Sequence, residues 1–169
     1  LGLELRERDL ENKKWFSSEI SLSKEIKIRG QQNFLAKDIN IPGDISYSSY
    51  LTALALSIEG SDITLKNIGT NPLRDAFFRT LIDMGADINF IEQKVICGER
   101  VADVRIKYSK LRDTVIPAKR LYMMEYEYPI LILLSALHKI DVKIQGIDYI
   151  KQRENDNFIL LEKLLNNLD

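Results

Sequence analysis

Cysteine and histidine occur once each in the 169 residues, and these two scarcities remove whole classes of chemistry. Cys97 alone cannot build an internal disulfide framework and fits a reducing compartment, so a cytoplasmic location is expected. His138 has no second imidazole to complete a metal site. Charge of one sign is also missing: 24 Lys plus Arg stand against 25 Asp plus Glu, which leaves no basic field for nucleic acid or an anionic membrane. A small anion needs only a local cluster and stays open. The longest strongly apolar run, Pro129 to Leu137, is too short to span a bilayer. The opening "LGLELRERDLENKK" lacks the pattern of a secretory signal and an initiator Met, so the chain reads as though cut from something longer. With no Gly-rich phosphate loop, zinc spacing or nucleic-acid motif, no cofactor is expected.

What is present is enough for a core, since 45% of the residues are hydrophobic and the length suits one domain. Leu1 to Arg6 alternates as a strand does, Glu7 to Lys14 reads as a loop, and Lys24 to Arg29 alternates again up to Gly30. A third alternating segment, Lys37 to Asp44, runs into the Pro42-Gly43 turn, so residues 1–40 form a small β-rich piece. The period then changes. Asp44 or Ser46 offers an N-cap, and apolar or small side chains on nearly every face up to Gly60 predict a helix buried on all sides.

"SDITLKNIG" follows as a strand, and Asn71-Pro72 predicts a helix over 73–84 with Phe77, Phe78, Leu81 and Ile82 on its inner face and Gly85 as its stop. "ADINFIEQ" and "KVICGERV" read as a hairpin with Cys97 turned inward beside Val95. The order then restarts at Ile116-Pro117, with the apolar helix "PILILLSALHK" and the strand "DVKIQGID". The matched strands begin at Asp62 and Asp141, about eighty residues apart, as in a repeated supersecondary unit. The unit is strand, buried helix, strand, amphipathic helix and two strands, and the second copy stops inside its amphipathic helix.

Three motifs carry a family resemblance: Pro42-Gly43-Asp44-Ile45-Ser46, Gly69-Thr70-Asn71-Pro72-Leu73-Arg74 and Met84-Gly85-Ala86-Asp87. Their order and ungapped spacing over about fifty residues resemble the 5-enolpyruvylshikimate-3-phosphate synthase family, also called 3-phosphoshikimate 1-carboxyvinyltransferases. The enolpyruvyl transferases acting on UDP-N-acetylglucosamine share the fold but match these motifs less well. The resemblance implies an α/β fold of incomplete βαβαββ repeats, an inside-out α/β barrel lobe, with 1–40 ending a first lobe and 41–169 forming part of a second. It also implies transfer of an enolpyruvyl group from phosphoenolpyruvate to shikimate 3-phosphate in aromatic amino-acid synthesis, with no cofactor. A complementary chain or a homo-oligomer is the expected partner, and the partial chain alone is expected to be inactive.

The resemblance also assigns site residues. The family run Arg-Val-Lys-Glu-Ser-Asp-Arg aligns with Lys151 to Asn157, so Glu154 stands at the acid/base glutamate, Arg153 at the lysine near the enolpyruvyl group, and Lys151 at a binding cation. Two positions depart: Asn157 replaces a phosphoenolpyruvate-binding arginine, and Tyr126 stands where an Asp precedes Glu-Tyr-Pro, with Glu125 as the alternative register. A neutral amide lacks the guanidinium fork, and a phenol is no anion at neutral pH. Plainer readings exist for each group: Glu154 and Asp156 as first-turn acids on a helix dipole, Asp44 with Ser46 as a cap, and Arg74 as a solvated charge. His138 ends a buried helix, where an imidazolium would meet carbonyls. The rival to the transferase reading is a non-catalytic remnant serving association or holding a phosphorylated metabolite.

Overall fold

The structure is a computed structural model and describes residues 5–9, 24–28, 31, 35–153 and 155–167. The chain divides into two compact units, Leu1–Ile39 and Asn40–Asp169. In the first, β1 (Leu5–Asp9) pairs antiparallel with β2 (Lys24–Ile28). The first strand therefore runs further than its hydrophobic alternation suggested, into residues read as loop. The register sets Leu5 opposite Ile28 and Asp9 opposite Lys24.

The expected strand over Lys37 to Asp44 is absent. Pro42 brings no N–H to a ladder, and Ile39 and Ile41 stand exposed; the pairing made here is one parallel bridge from Gly43 to Ile68. Helix α1 (Ile45–Ser57) follows, capped by Asp44, whose Oδ1 accepts the Tyr47 N–H at 2.9 Å. Its expected burial on all sides is not observed. Ser48, Ser49, Thr52, Ala55 and Leu56 are buried, whereas Tyr47, Leu51, Leu54 and Ile58 form an exposed apolar stripe at helical spacing.

Strand β3 (Asp62–Gly69) leads through a turn to α2 (Ala76–Asp83), and β4 (Asp87–Ile96) and β5 (Glu99–Lys107) form the hairpin. The sheet order is β3-β5-β4, all antiparallel, with α1 against β3 and β5 and α2 against β4. Helix α2 begins three residues later than expected, at Ala76. Asn71 accepts the Leu73 N–H on its side chain and the Arg74 N–H on its carbonyl, closing a turn in place of a first helical turn. Cys97 is exposed in the tight hairpin turn with Gly98, both at positive φ, and not in the core; alternation is suspended where a type I′-like turn reverses the chain.

The second repeat contributes β6 (Thr114–Ile116), α3 (Ala118–Tyr122), α4 (Tyr128–His138), β7 (Val142–Ile144), α5 (Ile147–Arg153) and α6 (Asn155–Asn166). β6 and β7 pair in parallel, the counterpart of the Gly43–Ile68 bridge in the first repeat. Gly146 turns the chain from β7 into α5 at φ +75°, and a Cβ there would meet the Ala118 Cβ at 2.7 Å. One core joins the repeats: Phe77, Phe78 and Leu81 of α2 share it with Val104 and Ile106 of β5 and Leu131 and Leu134 of α4. No helix among the described residues is long and apolar enough to cross a membrane.

Asp103 organises the edge of the sheet from which α1 departs. The β3–β5 register shifts between Leu65 and Ile68, and Asn67 within that bulge has φ +58°. The nearly buried Asp103 carboxylate accepts the Asn67 N–H at 2.9 Å and pairs with the Lys66 ammonium at 2.6 Å. These donors, Lys66 first and the Asn67 amide next, hold its carboxyl below the usual carboxylate range. Asn67 in turn accepts the Gly43 N–H at 2.8 Å, and Gly43 accepts the Gly69 N–H at 3.0 Å, so the bulge seats the residues that cap α1.

Two outcomes test this packing. Phe78 is fully buried and meets Phe77 and Phe90 edge-on, with centroids at 6.1 and 5.7 Å. Phe78→Ala should cost about 3–5 kcal/mol in denaturant unfolding, and a cost under about 1 kcal/mol would refute this core. Because folding lowers the Asp103 pKa, its stabilisation is present above the unfolded value, about 3.9, and is lost as pH falls through the folded value. Asp103→Asn should therefore flatten the acid limb of the stability profile, and an unchanged limb would count against the interaction.

Candidate functional site

Two helices with the same place in the two repeats define the site. Ser46 in the first turn of α1 donates to the carboxylate of Glu127, the residue that caps the start of α4, and Ser57 at the end of α1 lies 3.3 Å from His138 at the end of α4. Both pairs span 81 residues. Contacts between like ends mean that α1 and α4 lie parallel, with their N-termini side by side, and two positive dipole ends then face the same region.

Around that end the side chains form a chain of polar contacts. Arg74, placed by the Asn71 turn, donates from Nη2 to Ser46 Oγ at 3.0 Å, and the Ser46 hydroxyl donates in turn to Glu127 Oε1. The Arg74 guanidinium also lies 5.9 Å from the centroid of the Tyr126 ring. Arg74 is therefore neither on the helix nor a simply solvated charge. Glu127 is 1% exposed, so its carboxylate is a buried acceptor whose described partner is a hydroxyl and, through it, a cation. Ser46, half-expected as the α1 cap, leaves that task to Asp44 and serves the inter-helix contact.

Electrostatically this end is a cationic edge on a polar relay. A guanidinium has five N–H donors, and one of Arg74's is spent on Ser46, so the group can still grip an anion by a fork. Tyr126 is largely exposed beside it. The arrangement can hold and orient an oxyanion. No group of three or more potential metal-binding side chains occurs among the described residues.

The residues singled out near the C-terminus are placed less fully. Lys151 is exposed on α5 with its ammonium 4.5 Å from the Phe158 ring centroid on α6, a cation–π contact. Arg153 is the last residue of α5 and its side chain lies outside the described residues, as does Glu154 altogether. Asn157 is exposed in α6 and has a partner. His138 is partly buried, and burial lowers its pKa, so the neutral ring is favoured over the imidazolium expected at a helix C-terminus.

Glu127 is the functional residue that sequence reasoning missed, serving there only as an alignment anchor. One signal pointed to it: a carboxylate immediately before a wholly apolar helix, at the position in the second repeat that Ser46 holds in the first.

Comparisons with known proteins agree with the geometry. The family model described as EPSP synthase (3-phosphoshikimate 1-carboxyvinyltransferase) matches residues 14–169. The 3-phosphoshikimate 1-carboxyvinyltransferase of Brucella melitensis biotype 2 is 38% identical over 133 residues, which is 79% of this chain and 30% of that protein. That of Pseudomonas sp. strain PG2982 is 36% identical over the same length and with the same coverage. A solved EPSP synthase from Acinetobacter baumannii superposes with a TM-score of 0.76 at 26% identity, covering 86% of this chain and 33% of that one. The chain thus spans about a third or less of the length of these relatives.

A double-mutant cycle on Ser46→Ala and Glu127→Gln should give a coupling energy of about 1.5–3 kcal/mol in unfolding, the range for a hydrogen bond to a charged group. Additive single effects would mean that the two helices are not tied at this point.

Proposed function

The chain belongs to the EPSP synthase family, and on that premise we propose that it supplies one wall of a cleft in which enolpyruvyl passes from phosphoenolpyruvate to shikimate 3-phosphate. The observation that carries this reading is the Arg74–Ser46–Glu127 relay at the paired N-termini of α1 and α4. A phosphate placed there meets the free edge of a guanidinium and the positive dipole ends of two helices, elements that recurrently bind such groups. In this reading residues 1–40 belong to the first lobe and 41–169 to the second. Glu154 is the acid/base group, and Arg153 and Lys151 supply binding charge. The remaining ligands of both substrates come from other parts of the transferase or from a complementary chain. A cytoplasmic setting goes with this pathway assignment.

A second reading rests on two specific residues. Tyr126 holds the Arg74 guanidinium by its ring where the family carries an aspartate, and Asn157 stands in place of a substrate-binding arginine. Arg74 keeps a capacity to bind a phosphorylated metabolite, while these two changes remove groups that bind phosphoenolpyruvate and that position and protonate the reacting centre. On this reading the chain is a non-catalytic phosphometabolite-binding or association module.

Shikimate 3-phosphate should raise the melting temperature of the chain, with a stabilisation of about 2.7 kcal/mol at a hundredfold excess over Kd, and Arg74→Ala should abolish the shift. No shift with the unsubstituted chain would remove phosphate binding from both readings. Phosphate release from the two substrates, lost in Glu154→Gln, would favour the transferase; binding without release would favour the module.

A further inference from the structure

The other ends of the α1–α4 pair border an open pocket of about 470 Å3, lined by Ser57, Tyr108, Lys110, Leu111, Leu137 and His138. Ser57 and His138 close the two helices, while Tyr108, Lys110 and Leu111 come from the segment after β5. Neither the phosphate-binding relay nor the residues assigned to enolpyruvyl chemistry reach into its lining.

A count of protons sets what this pocket can do. The Ser57 hydroxyl donates to the Ala53 carbonyl at 2.9 Å, and a hydroxyl has only one proton to give. Keeping that bond leaves the Ser57 oxygen to accept from His138 Nε2 at 3.3 Å, the arrangement with the imidazole proton on Nε2 and Nδ1 as an acceptor. In that arrangement Nε2 is no base toward Ser57. The pair is then a binding element and not a hydrolytic one.

The remaining lining has one cation and two apolar surfaces. Lys110 is exposed and has no ion-pair partner among the described residues, so its ammonium is available to a carboxylate. Leu111 is buried and Leu137 largely exposed, giving a wall against which an apolar body can lose water. The carbonyl ends of α1 and α4 lie on the same side; their negative dipole ends oppose any anion, a doubly charged phosphate more than a single carboxylate, so the Lys110 ammonium is the group that must outweigh them. We propose that this pocket is a ligand site for a small monocarboxylic acid with an apolar or aromatic body, its carboxylate on Lys110, its body on Leu111 and Leu137, and any hydrogen-bond donor on His138 Nδ1.

The single histidine makes the test direct, because every imidazole resonance of the chain reports this site. With the ring nitrogens of His138 isotopically labelled, the free 169-residue chain should show the Nε2–H tautomer, and titration with benzoate should move the ring resonances saturably with Kd of about 1 mM or tighter. Lys110→Met, a substitution at an exposed position, should weaken benzoate at least tenfold. Acetate, which lacks the apolar body, should bind at least tenfold more weakly, and inorganic phosphate should not compete. Arg74→Ala should leave benzoate binding unchanged, separating this site from the phosphate site. An Nδ1–H tautomer, a ring unmoved by benzoate, equal binding by Lys110→Met, or equal competition by phosphate would each overturn the proposal.

Discussion

The Asp103 carboxylate is the constraint on which the geometry at the paired N-termini of α1 and α4 depends. A strand carrying an extra residue has no ladder partner for the amide it displaces, and Asn67 at positive φ presents such an amide within the β3 bulge. Asp103 takes it, and the carbonyl of the same residue is left to receive Gly43. The approach is tight, since a Cβ on Gly43 would stand 2.8 Å from the Ile68 side chain. One acid on β5 thus determines where the chain enters α1, and with it the position of Asp44 and Ser46.

From that seat the second repeat is recruited by complementarity of chemistry more than of shape. Equivalent positions in the two repeats bear a hydroxyl and a carboxylate at one end of the helix pair, and a hydroxyl and an imidazole at the other. Repetition alone would bring identical residues together; divergence between the copies has turned each end into a donor–acceptor pair. The cations at the far end of α2 add to the join: Arg112 donates to the Asp83 carbonyl and Arg120 pairs with the Asp83 carboxylate, both near the negative end of that helix. Buried polar contacts of this kind fix the register of helices that apolar packing alone would leave free to slide.

Much of this architecture was legible in the residues. β3, the β4–β5 hairpin and α4 announce themselves by period and by turn chemistry, and Gly85 stops α2 as its φ of +95° requires. The misreadings have local causes. Cys97 was read from periodicity across a hairpin turn that interrupts it, and the start of α2 from Asn71-Pro72 as a cap, where Asn71 closes a separate turn. The burial of α1 was read from composition, which reports how apolar a helix is but not how many neighbours it has. Glu127 was invisible for the converse reason: its hydroxyl partner is 81 residues away, and no local pattern encodes such a distance.

That same separation sets the order of events when the chain is made. Ser46 leaves the ribosome at least 81 residues ahead of the carboxylate it will bind, so α1 waits through that interval with the face meant for α4 as bare as its Tyr47–Ile58 stripe. Contacts this distant pay their loop-closure entropy before they return any stabilisation. Until the second repeat follows, the first carries that face uncovered, the kind of surface through which incomplete chains associate.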